Sequence, residues 1–267
     1  MHPMLTIAVR AARKAGHVIA RGFSELDRIT ISNKTDNDFV TNIDNEAEAA
    51  IIATIRQSYP NHSFIGEEGG HQPGEDKDFV WVIDPLDGTT NFARGVPHFA
   101  VSIALQVKGK TEVAVIYDPI RDELFTAVKG AGAQLNEFKI RAANKKEMTG
   151  TLLATGFPFK AKQHFDAYMG TFGAMFKLGG DIRRAGSAAL DLAYVAAGRI
   201  DVYWELGLKP WDIAAGDLIV REAGGMMTDF VGGHNYLKSG NIVCGNGRLV
   251  GQTLKEIKPF LTDELKK

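Results

Sequence analysis

Apolar residues recur at steps of three and four near the start of the chain. Leu5, Ala8, Ala12, Ala15 and Ile19 share one face, while Arg10, Arg13, Lys14 and Arg21 lie on others, which predicts an amphipathic helix stopping near Gly22. Thr41-Asn-Ile-Asp44 reads as a capping box opening a second helix, with Ala47, Ile51 and Ile55 on its inner stripe and Tyr59-Pro60 near its end. The period then changes from helix to strand. Residues 79–83 are apolar and rich in β-branched types, as a buried strand should be, and Pro85 is expected to stop its ladder. Runs at 100–107, 111–117 and 123–128, joined by short turns at 108–110 and 118–122, predict an antiparallel meander.

Residues 141–149 are polar and poorly patterned, and they mark the expected boundary between an N-terminal half (1–145) and a C-terminal half (146–267). Beyond it strand and helix alternate. Strands are expected at 152–155 and 181–183 around a helix at 163–176. Gly186-Ser187-Ala188-Ala189 opens a helix running to Ala197, and a strand at 200–206 carries Glu205 near its end. A helix at 211–223 closes on Gly224-Gly225, and 242–244 is a last strand. Alternating units after a meander predict an α+β fold of layered sheets and helices.

Composition narrows the function without choosing it. A chain of 267 residues, 45% hydrophobic and 24% charged, has ample material for a core. A formal net charge of −1 carries no signature of free-standing nucleic-acid binding. Cys244 is the only cysteine, so no internal disulfide forms. No signal peptide and no apolar run of membrane-spanning length is recognisable, and a cytoplasmic location is expected.

The densest chemistry lies in Trp81-Val-Ile-Asp84-Pro85-Leu86-Asp87-Gly88-Thr89-Thr90-Asn91-Phe92. Asp84 ends the strand, Asp87 follows three residues later, and Gly88 permits a sharp turn. Such a turn can aim two carboxylates and the Leu86 carbonyl at one point, an all-oxygen site suited to Mg²⁺, with the Gly88 and Thr89 amides facing an anion beside it. An aspartyl-nucleophile Asp-x-Asp-Gly-Thr motif would need its carboxylates two apart; here they are three apart, and Pro85 occupies the position of its first aspartate. Gly130-Ala-Gly132 lacks the third glycine of a nucleotide cradle, the histidines form no ligand-spaced pair, and no Ser-His-Asp arrangement suggests itself. Carboxylates must carry the chemistry. Glu67-Glu68, followed by the turn-rich Gly69–Gly74 stretch, would ordinarily be solvated beside a loop able to open and close. Arg183-Arg184 reads as an exposed pair, and Trp81 and Trp211 as core.

These residues resemble a known family. Asp84-Pro-Leu-Asp87-Gly-Thr-Thr-Asn-Phe is similar to the first signature of the inositol monophosphatase family, Trp211-Asp212-Ile-Ala-Ala-Gly-Asp-Leu-Ile-Val-Arg-Glu-Ala-Gly-Gly225 to its second, and Gly66-Glu67-Glu68 to its third metal-binding element. The resemblance covers nearly the whole chain. It implies a five-layer αβαβα sugar-phosphatase fold, two to three Mg²⁺ ions per site and inhibition by Li⁺. It makes Glu67, Asp84 and the Leu86 carbonyl ligands of a first ion, and Asp84, Asp87 and Asp212 ligands of a second, with Glu67 reaching a third. It makes Thr89, supported by Asp44, the group that orients the attacking water, and Gly88 and Thr89 the amides that hold the phosphate. Gly186, Ser187, Ala188 and Glu205 would meet the inositol ring, and Asp212 would also protonate the leaving alkoxide.

The implied activity is hydrolysis of inositol 1-phosphate and related phosphate monoesters such as glycerol 2-phosphate. Fructose-1,6-bisphosphatase, histidinol-phosphate phosphatase and 3′-phosphonucleotide phosphatase remain alternatives within the same chemistry. Met1-His-Pro-Met-Leu-Thr-Ile, Thr155-Gly-Phe-Pro-Phe-Lys160 and Gly232-Gly-His-Asn-Tyr236 are similar to a bacterial branch of the family. Its members also join the Nus antitermination complex through NusA. A homodimer is compatible with either role.

Overall fold

The computed structural model describes residues 2–35 and 38–266. Helices α1 (Pro3–Ser24) and α2 (Asn42–Arg56) flank a hairpin of β1 (Ile31–Thr35) and β2 (Asp38–Thr41). The first large sheet takes β3 (His62–Gly66), β4 (Gly70–Gln72) and β5 (Asp76–Asp87). After the short α3 (Thr89–Ala93) it continues with β6 (Ala100–Val107), β7 (Lys110–Asp118), β8 (Glu123–Val128), β9 (Gly132–Leu135) and β10 (Phe138–Lys139). The second half runs β11 (Leu152–Thr155), α4 (Phe165–Leu178), β12 (Asp181–Arg183), α5 (Ala188–Ala196), β13 (Val202–Glu205) and α6 (Pro210–Glu222). It ends with β14 (Met226–Thr228), α7 (Tyr236–Ser239), β15 (Ile242–Gly245) and α8 (Gly247–Ile257).

Among the described residues the strands form two large sheets, ordered β10-β9-β8-β7-β6-β5-β3-β4 and β12-β11-β13-β15-β14. Side-chain alternation decides what covers each face. In β6 and β7, Val101, Ile103, Leu105, Val113 and Val115 point to a core shared with α1 and α2, whereas Ala100, Ala104, Ala114 and Ile116 point to α5 and α6. The alanines let those helices approach closely. In β13 and β15, Tyr203, Ile242 and Cys244 face the same two helices, and Val202, Trp204 and Val243 face the outer core of α4 and α8. The resulting stack is α1/α2, first sheet, α5/α6, second sheet, α4/α8, which is the αβαβα layering the resemblance implied.

Two readings of the sequence need correction. Pro85 does not end its strand: β5 continues to Asp87, with Asp84 opposite Ser102 and Asp87 opposite Ala100. Three steps on β5 against two on β6 make a bulge, and Pro85 can sit there because a bulged residue need not donate to the ladder. The extra residue also cancels the alternation that would send residues three apart to opposite faces. The stretch after Glu67 is not a loose loop either. Gly66 pairs with Gly70 in a tight β3–β4 hairpin, and the buried Glu48 carboxylate accepts from the amides of Glu68 (3.0 Å) and Gly69 (2.7 Å). Helix α8 and strand β14 were not anticipated, although Leu249, Val250, Thr253 and Ile257 do keep a helical spacing on the buried face of α8.

Candidate active site

The site forms where the ends of β5, β13 and α6 converge. The β3–β5 register sets Gly66 beside Ile83, and the Glu67 amide donates to the Ile83 carbonyl at 3.1 Å, which places Glu67 next to Asp84. Leu86 buries its side chain in the core under α1 and α2 and turns its carbonyl outward, where it accepts from the Thr89 hydroxyl at 3.0 Å. The Leu86 amide donates to Asp84 Oδ1 at 3.0 Å, bracing the bulge from inside. Gly88 adopts a φ of +101°, and a Cβ there would lie 3.0 Å from the His98 carbonyl and 3.3 Å from that of Gly186, so glycine is required twice over.

Asp212 arrives from the other half of the chain. Pro210 starts α6, and Asp212 caps it by accepting from the Lys209 amide at 2.7 Å. Its position is keyed to the first sheet, because Ser102, the partner of Asp84 across the ladder, donates its hydroxyl to the Trp211 carbonyl at 3.1 Å. Further ties cross between the halves. Asn91 donates to the Ala185 carbonyl at 2.9 Å, and Asp87 Oδ2 accepts from the Ser187 hydroxyl (2.6 Å) and the Ala189 amide (2.7 Å).

Asp84, Asp87 and Asp212 therefore each bring a carboxylate oxygen within 4.8 Å of the other two. They lie under a cavity of about 510 Å³ that Glu67, Leu86, Gly88, Thr89, Gly186, Ser187, Ala188 and Glu205 also line. Burial, then the charges of Glu67, Asp87 and Asp212, push the Asp84 carboxyl pKa up. Burial raises Asp87 to about 6 against the hydrogen bonds from Ser187 and Ala189, with Glu67 adding to the rise. Burial and then Asp87 raise Asp212. Asp84, Asp87 and Asp212 are crowded together beside Glu67 on the cavity floor, where burial disfavours the charge of all three. An all-oxygen set of this density fits a hard divalent cation.

Asp44 stands behind this cluster, not in it. Its Oδ2 accepts from the Thr41 amide (2.8 Å) and hydroxyl (2.6 Å), completing the expected capping box, and its Oδ1 lies 2.9 Å from the Thr89 hydroxyl oxygen. Thr89 can thus spend its proton on Asp44 or Leu86 and keep lone pairs for a water. On the opposite wall, Glu205 accepts from the Tyr203 hydroxyl and is raised to about 7, chiefly by burial. A Cβ at Gly156 would lie 2.0 Å from the Glu205 carboxyl, so that glycine makes room for it.

The structure adds residues that the sequence reading passed over. Glu48 backs the Glu67 turn; the signal was available, since Glu48 follows Asp44 by four on one helix face. Asn91 joins the two halves and had no signal beyond its place in the motif. Arg184 is exposed, as expected, but it lines the cavity mouth with its guanidinium 5.3 Å from the Phe157 ring centre, so it belongs to the site wall. Lys160, Arg94 and Lys209 line the cavity too, giving basic walls above an acidic floor.

A sequence profile of the inositol monophosphatase family matches residues 1–262. The chain belongs to the inositol monophosphatase family. It is 60% identical over 267 residues to a protein named Nus factor SuhB from Escherichia coli strain K12, covering all of both chains. The crystal structure of extragenic suppressor protein suhB from Bartonella henselae is 41% identical, with a TM-score of 0.93 over 96% of this chain and 98% of that one. A structure described as inositol monophosphate bound SaIMPase-II is 28% identical, with a TM-score of 0.80 over 96% and 94%. Family membership accounts for the layered fold and makes the chain a phosphatase by type.

Proposed function

We propose that the chain is a Mg²⁺-dependent phosphomonoesterase that hydrolyses myo-inositol monophosphates. The observation that carries the reading is the convergence of Asp84, Asp87 and Asp212 within 4.8 Å beside a Thr89 hydroxyl held by Asp44. Glu67, Asp84, the Leu86 carbonyl, Asp87 and Asp212 would hold two to three ions, which neutralise the anionic ester and lower the pKa of an attacking water. The chain's own residues do the rest. Thr89 aligns that water through its lone pairs while Asp44 fixes the hydroxyl rotor. The Gly88 and Thr89 amides, at the turn that starts α3, hold the phosphate. Ser187 is buried and donates to Asp87, so it acts by aiming that carboxylate and leaves Gly186 and Ala188 to meet the alcohol. Glu205, locked by Tyr203, accepts from a ring hydroxyl. Asp212, in the role the family resemblance implies, returns a proton to the departing alkoxide.

A protein relative bound to inositol monophosphate supports the substrate class, as does the Glu205 carboxyl lining the cavity. Phosphate release from inositol 1-phosphate, fructose 1,6-bisphosphate, histidinol phosphate and 3′-phosphoadenosine 5′-phosphate tests it. Turnover should be greatest on inositol 1-phosphate, vanish after exhaustive EDTA treatment and return with Mg²⁺. Full turnover without a divalent ion would overturn the metal assignment.

The relatives named Nus factor, matched over the full chain, favour a second role in transcription antitermination, for which the family resemblance implies NusA as partner. A partner surface of roughly 800 Å² cannot fit inside the carboxylate cavity. Asp87→Asn should therefore abolish phosphate release and leave capture of NusA unchanged. A homodimer belongs to the same reading, supported by Phe165, Met169, Phe176 and Phe260, which are exposed around α4 and just beyond α8.

A further inference from the structure

One buried acid in the cavity has no task in the reading above. Asp191 lies in the first turn of α5, four residues after Ser187 and on the same helix face, and it lines the cavity on the side of Glu205. Its side chain is only 2% exposed, and its Oδ1 is buried without a hydrogen-bond partner. Glu48 shows what this protein does with a structural carboxylate: both oxygens receive a backbone amide. Complementing the N-terminus of α5 would need no burial, and an unpartnered buried carboxyl is a net cost to folding. The groups around it are Glu205, Asp87 and Tyr203, with Arg184 the nearby cation, and among the described residues no ion pair to it is formed. Burial, then the charges of Glu205 and Asp87, push its carboxyl pKa up, which favours a neutral acid able to donate as well as accept.

We propose that Asp191 is a specificity-determining residue that hydrogen-bonds a hydroxyl of the alcohol, separate from the hydroxyl met by Glu205. The inference rests on the phosphatase reading and sharpens it. The site would then select esters whose alcohol carries at least two hydroxyls on the face turned toward α5 and β13. Simple aryl or alkyl phosphates would reach the same metal corner without using this wall.

The test compares Asp191→Ala and Asp191→Asn on two esters, inositol 1-phosphate and 4-nitrophenyl phosphate, with Mg²⁺ held saturating. Asp191→Ala should raise KM for inositol 1-phosphate roughly tenfold, the value of one hydrogen bond, with kcat little changed. Both constants for 4-nitrophenyl phosphate should stay within about twofold. Asp191→Asn, which can still donate and accept, should restore KM to within about threefold of wild type. Neither variant should lower the thermal midpoint, because the carboxyl it removes has no partner to lose. Equal losses on both esters, unchanged KM for inositol 1-phosphate, or a destabilised Asp191→Asn would each overturn the assignment in favour of a structural acid or a buried water. Failure of the wild-type protein to release phosphate from either ester would instead overturn the phosphatase reading, and this inference with it.

Discussion

The carboxylates behind the site are held by hydrogen bonds, and those in front of it are crowded against one another. Behind it, Glu48 and Asp44 are 4% and 1% exposed, and each is answered by backbone amides or hydroxyls, which hold the turns and offset part of a burial cost that still pushes the Asp44 carboxyl up. In front, Asp84, Asp87 and Asp212 crowd one another, and burial, followed by the charges of the cluster with Glu67, raises their affinity for protons. The first group builds the frame. The second is tolerated because the frame over-determines its geometry, and its unfavourable electrostatics is what suits the corner to a cation.

Three substitutions sharpen that contrast. The largest effect should come from Asp212→Asn, which removes a facing charge but retains an acceptor for the Lys209 amide. Phosphate release should fall by about a hundredfold or more. Stability in metal-free buffer, followed by denaturant unfolding, should be unchanged or higher. A clear loss of metal-free stability would place Asp212 with the structural carboxylates. Next is Glu48→Ala, which strands two amides at the Glu67 turn. It should destabilise the fold by about 2–3 kcal/mol and weaken Mg²⁺ affinity by about tenfold or more, because Glu67 loses its brace. Calorimetric titration and urea melts read both, and a silent Glu48→Ala would dissolve the distinction drawn here.

The smallest effect concerns pH. Asp87, at about 6 when folded, lies above the ordinary unfolded value near 4, so the native state holds the extra proton between them. Its contribution to metal-free stability is present at low pH and is lost as pH rises through about 6. Compared with wild type, Asp87→Asn should therefore gain relative stability from pH 4.5 to 7.5, by a few degrees in thermal midpoint, roughly. A flat difference curve would show that burial does not raise Asp87.

Much of this site was legible because it is written locally. Thr41 to Asp44, Asp84 to Thr89 and Trp211-Asp212 are short strings whose residue types and spacing already fix a cap, a turn and a helix start. The long strands of the meander were legible too, since β-branched residues alternate there without interruption. What escaped reading depends on contacts between distant segments. Pro85 looks like a stop until the ladder with β6 shows a bulge around it. Glu48 looks like an exposed helical acid until the β3–β4 hairpin folds against it. Arg184 looks like surface until Phe157 brings a wall up beside it. The short β14 has three residues and no pattern of its own, and it exists only because β15 pairs with it.

The Ser102 bond to Trp211 and the Asn91 bond to Ala185 also set a clock. Asp84 precedes Asp212 by 128 positions (212 − 84), so on a ribosome the first carboxylates emerge well before the one that completes their corner. At synthesis rates of roughly 5–20 residues per second that interval lasts about 6–26 seconds. Throughout it the nascent chain carries the Asp84-to-Thr89 turn without the opposing wall, and so without a pocket able to retain a cation or an ester. The acidic corner is complete only once α6 brings Asp212 between the sheets, so a truncated chain ending before Trp211 should release no phosphate.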